Sequence, residues 1–139
     1  NGETKFVPIH VSDLSEIIYQ IISKEIKNDT IECIGPEVLS FKEILNKILK
    51  SIQKKRLLIP IPLPIAKMTA IFLGLLPKPL LTSDQLILLK YDNIPTKKYK
   101  TNFDIGLDAN KKFEDEIEKY SYNWRSGGQY TRKKNQEIT

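Results

Sequence analysis

Few side chains in this 139-residue chain have types and spacing suited to chemistry. His10 and Cys33 are each the sole residue of their kind. A nucleophile pair is conceivable, because an adjacent imidazole makes a thiol more acidic. Cys33 lies inside TIECIG, however, an apolar run of strand character, and reads as an inert core thiol. One His and one Cys far apart in sequence do not supply a metal-ligand set. Tyr130 and Lys134 stand at a Tyr-x-x-x-Lys spacing suited to proton transfer, but in a basic tail where the match arises by chance. Gly127-Gly128 does not link a strand to a helix, and no G-x-G-x-x-G or Walker loop occurs, so no phosphate cradle is expected. The acids of Glu114 to Glu118 read as a solvated helix face.

The elements around these residues follow from periodicity. KFVPIHV (Lys5 to Val11) has strand character, and Ser12 and Asp13 after it are good helix N-caps. Leu14, Ile17, Ile18, Ile21 and Ile22 then form the apolar stripe of a half-buried helix, which fades at Lys27-Asn28-Asp29. A short strand is expected over Thr30 to Gly35, ended by Gly35-Pro36. Ser40 and Glu43 make a capping box for a second helix with Phe41, Ile44, Leu45, Ile48, Leu49 and Ile52 on one side. Lys54-Lys55-Arg56 closes it, where cations suit the helix dipole. Thr82 and Gln85 form another capping box, opening a helix to about Tyr91. Asp92 to Gly106 reads as loop. A last helix is expected over Asn110 to Trp124, with Phe113, Ile117, Tyr120 and Trp124 on its apolar side. Residues 1–125 read as one lobe and 126–139 as a basic tail, flexible or partner-bound.

Composition narrows the class. The chain is 40% hydrophobic and 28% charged, ordinary for a globular domain. Its net charge of +5 favours acidic partners without naming one. The tail's Tyr130, Arg132, Lys133 and Lys134 are too few for a nucleic-acid interface, so none is expected. A lone Cys fits a reducing compartment. NGETKFVPIHVSD has no basic region followed by an apolar run, so it is not a signal peptide, and the missing initiator Met reads as a piece of a longer polypeptide.

The stretch LLIPIPLPIAKMTAIFLGLLP (Leu57 to Pro77) is the most unusual. Pro60, Pro62 and Pro64 force an extended backbone through Pro64. Ile65 to Leu76 is then a helix too short for a bilayer, which needs about 20 apolar residues. It is apolar on nearly every side and must be covered, in a core, by a partner, or at a lipid surface flanked by Lys54, Lys55, Arg56 and Lys78. Ile65, Met68, Phe72, Leu75 and Leu76, with Tyr122, Trp124 and Arg125, are the candidate partner or membrane face.

Four segments in order carry a family resemblance: FVPIHVSDLSEII, TIECIGPEVLSFKEIL, the stretch from Arg56 to Ile94, and IGLDANKKFEDEIEKY. Together they resemble the C-terminal half of atypical extended short-chain dehydrogenase/reductases, the dehydrogenase-like accessory subunits of respiratory complex I and their NAD-dependent epimerase/dehydratase relatives. The resemblance covers about Lys5 to Tyr120. It implies an α/β fold: the C-terminal lobe of a Rossmann-type protein, mostly helical with two or three short strands, without the N-terminal dinucleotide-binding half. It implies NAD(P) in the full-length protein and no cofactor held by this chain alone. His10 and Asp13 match the family's H-V-x-D stretch and would border the cofactor pocket; read from local sequence, Asp13 caps a helix and His10 alternates on a strand. The implied function is an accessory, non-catalytic subunit of NADH:ubiquinone oxidoreductase at the junction of peripheral and membrane arms. Its partners would be other complex I subunits or the missing dinucleotide-binding half, with a membrane surface as a further option. It would lie on the matrix side of the mitochondrial inner membrane or the cytoplasmic face of a bacterial one. The alternative is the substrate lobe of an active NAD(P)-dependent epimerase, dehydratase or reductase.

Overall fold

The computed structural model describes residues 2–62, 65 and 83–128. In chain order they form β1 (Lys5–Phe6), α1 (Val11–Ser23), β2 (Ile31–Glu32), β3 (Leu39–Ser40), α2 (Phe41–Ser51), α3 (Ser83–Leu88), β4 (Lys100–Thr101) and α4 (Phe113–Tyr120). The result is a mixed α/β domain. β1 pairs antiparallel with β3, Lys5 opposite Ser40 and Phe6 opposite Leu39. β2 pairs parallel with β4, Ile31 opposite Lys100 and Glu32 opposite Thr101.

The strands are shorter than their sequences promise, and two of them, β3 and β4, lie where the sequence showed none. Pro8 has no N–H, so the β1 ladder cannot run on toward Val11. Beyond β2, the amide of Ile34 donates to the side-chain oxygen of Asn102 at 2.8 Å rather than to a strand. Gly35 lies against the backbone of Pro8. A Cβ built on it would meet the Pro8 carbonyl oxygen at 1.8 Å, so only glycine permits this approach.

α1 corrects the capping expectation. The N-cap is His10, whose Nδ1 accepts the Ser12 amide at 3.2 Å, and the helix begins at Val11. Asp13 cannot serve, because its carboxylate accepts two amides from the far end of the chain. α2 follows its sequence. Ser40 Oγ accepts the Glu43 amide at 3.2 Å, and Glu43 accepts the Ser40 amide at 2.7 Å. Both helices end with a polar residue at positive φ, Glu25 at 52° and Gln53 at 56°. The amides of Ile26 and Lys54 reach back to the carbonyls of Ile21 and Leu49, as in a Schellman turn.

The final helix is split. α4 covers only Phe113–Tyr120, and Ser121–Trp124 tightens into a 3-10 turn. The hydroxyls of Ser51 and Ser121, both buried, hydrogen-bond at 2.5 Å and hold that turn against the end of α2. The core lies between α1 and the segment before α4: Ile17 packs with Leu107 and Ala109, bordered by Ile9, Ile21, Cys33 and Ile105. Thr82 lies outside the described residues, so its capping box does too.

Candidate functional site

His10 and Asp13 are brought together with the start of α4. His10 Nε2 lies 3.7 Å from the Glu116 carboxylate, on the ring edge opposite the nitrogen that caps α1. That places the imidazole proton on Nε2, because Nδ1 accepts. The Glu116 carboxyl is held below its usual range, chiefly by the hydrogen bond from Lys119, with the charges of Lys119 and Lys111 adding to it. Asp13 Oδ2 accepts the amides of Asn110 and Lys111, both at 2.9 Å. Lys111 folds its amine back to 3.6 Å from Asp13 Oδ1 and donates to Ser12 Oγ. Asp13 thus clamps residues 110–111 beneath α1, which sets Leu107 and Ala109 against Ile17. Its Oδ2 is spent on the chain's own backbone, and its Oδ1 faces the Lys111 amine.

Two polar side chains outside the predicted site residues do comparable work. Glu37 accepts the Phe113 amide at 2.9 Å and caps α4 from a distant loop, since the N-cap Lys112 makes no side-chain bond. Asn102 is fully buried. It accepts from the Ile34 amide and donates to the Leu107 carbonyl at 2.9 Å, tying β2 to the turn after β4. Asn102 sits in a stretch with no periodic signal, and only the pairing of β2 with β4 brings Ile34 to it.

The predicted partner face is described only in part. Met68, Phe72, Leu75 and Leu76 lie outside the described residues; Ile65 is exposed. Trp124 is exposed and meets Tyr120 edge-on, with ring centroids 6.0 Å apart; Tyr122 is half-buried. Arg125 turns inward instead, and its Nε donates to the Ser51 carbonyl at 2.7 Å, satisfying a group at the end of α2. Among the described residues no helix is long and apolar enough to cross a membrane.

A second apolar face lies on α1. Val11, Ile18 and Ile22 recur at helical spacing and are 69%, 48% and 70% exposed, while neighbouring Ile17 is 1% exposed. The helix is therefore apolar over a wide arc, and the domain covers only the Leu14, Ile17 and Ile21 side of it.

Three groups at the stretch that carries the family resemblance are engaged within the chain itself. Gly35 is filled by Pro8, the Ser12 amide of α1 is taken by His10, and Asp13 is taken by two amides. Burial pushes the Cys33 thiol up, away from the thiolate a nucleophile requires. No known family model matches the chain, and no curated protein matches it.

Proposed function

We propose that this chain is the C-terminal lobe of an extended short-chain dehydrogenase/reductase-type protein, acting as a non-catalytic accessory subunit of NADH:ubiquinone oxidoreductase. In this reading it stabilises the junction of the peripheral and membrane arms, on the matrix side of the mitochondrial inner membrane or the cytoplasmic face of a bacterial one. NAD(P) belongs to the dinucleotide-binding half, whose Gly-rich fingerprint these residues lack.

The observation that carries the reading is the uncovered side of α1. Val11, Ile18 and Ile22 form an apolar stripe on an otherwise folded helix, next to the H-V-x-D stretch of the family resemblance. A stripe of this kind calls for a covering layer. A dinucleotide-binding half or a neighbouring subunit supplies one. The commitment of Asp13, Glu37 and Asn102 to backbone amides and carbonyls supports a scaffolding role for this lobe.

The test is made on the whole protein. It should co-migrate with NADH:quinone oxidoreductase activity on a native gel. Migration as a free dimer that turns over a sugar nucleotide would replace this reading with the substrate lobe of an active epimerase.

A further inference from the structure

An apolar groove of about 410 Å³ runs between the start of α2, the extended segment after α2 and the end of α3. Its size falls within the range of about 300–1,000 Å³ that small-molecule sites occupy. Leu45 and Phe41 of α2 form one wall, and Leu86 and Leu89 the other. Leu57, Ile59 and Ile61 complete it from the Pro-rich segment. These three are exposed, and Ile59 and Ile61 flank Pro60, whose ring fixes its own backbone angle. Thr4 lines the groove as well and donates its hydroxyl to the Leu89 carbonyl, so that polar pair is already satisfied.

Charge at the groove is of one sign. Lys42 and Lys90 line it, both exposed, and the described lining includes no Asp or Glu. Neither ammonium is within ion-pair distance of a carboxylate among the described residues. Glu43, beside Lys42 in sequence, is committed to the Ser40 cap.

We infer that this groove binds one long-chain fatty acid, its alkyl chain against Leu45, Ile59 and Leu86 and its carboxylate between Lys42 and Lys90. The apolar walls match the chain, and the two amines, neither ion-paired among the described residues, match a single anionic head. This stands apart from the accessory-subunit reading, because it uses only the groove.

Displacement of the fluorescent fatty acid cis-parinarate from the full chain tests it. Palmitate should displace the probe. The Lys42→Gln and Lys90→Gln variants should each weaken palmitate by about two- to fivefold, and the double variant by about tenfold, with hexadecanol unaffected. Ile59→Glu, at an exposed position, should weaken both palmitate and hexadecanol by more than about tenfold with an unchanged circular dichroism spectrum. No displacement by palmitate would overturn the inference. So would palmitate binding indifferent to both lysines, or binding seen only with phosphatidylglycerol vesicles, which would mean a membrane surface rather than a free fatty acid.

Discussion

At the residue scale, the polar side chains that matter most here satisfy backbone groups. Asn102 faces one donor and one acceptor that would otherwise be buried without partners. Asn102→Ala removes both bonds and opens a small void. It should destabilise the chain by about 2–4 kcal/mol, read from urea denaturation, because each orphaned buried group costs about 1–3 kcal/mol. His10 does with an imidazole nitrogen what Asn or Ser usually does at a helix start. That role was hidden because Ser12 and Asp13 are the stronger capping types and stand next to it.

At the element scale, α2 and α4 are joined by charge as well as by packing. Lys47 and Lys50 both donate to the Glu114 carboxylate, at 2.7 Å and 2.5 Å. These two hydrogen bonds, with the charges behind them, pull the Glu114 carboxyl from 4.5 down to about 2. A depressed carboxyl stabilises the fold above its unfolded-state value and loses that contribution as pH falls toward the folded value. Glu114→Gln should therefore be less stable than the parent at neutral pH, and the gap should close between about pH 4.5 and 2. Urea denaturation of both proteins across that window checks the sign. A gap independent of pH would mean that packing, not charge, was lost. The end of α2 offers a second test. Gln53 holds a left-handed backbone that glycine adopts freely, so Gln53→Gly should stabilise by about 0.5–1 kcal/mol.

At the scale of the whole molecule, the two sides of α1 should respond differently. Ile17 is enclosed by Leu107 and Ala109, and Ile17→Ala should cost about 2–4 kcal/mol. Ile22 is largely exposed, and Ile22→Lys should change the stability of the chain by no more than about 0.5 kcal/mol. Under the proposed accessory-subunit role, the same Ile22→Lys change should weaken association, seen as loss of co-migration on a native gel. If Ile22→Lys unfolds the isolated chain instead, that face is part of the chain's own core and the assembly argument loses its support.

The sequence by itself determined the local elements whose signals are complete within a few residues. The Ser40–Glu43 box opens α2 because both partners of that exchange lie in one turn. The stripe from Leu14 to Ile22 gives a helix because burial on either side rewards the same period. Gly35-Pro36 marked a turn, although the reason for the glycine, the carbonyl of Pro8, lies far along the chain. Only the tertiary structure decided which half of the α1 stripe faces inward, since Ile17 and Ile18 are alike until Leu107 and Ala109 arrive. It likewise decided the pairing of β2 with β4, the capping of α4 by Glu37 and the clamp made by Asp13. Each joins residues more than sixty positions apart, and a bond of that reach leaves no period or spacing in the sequence between its ends.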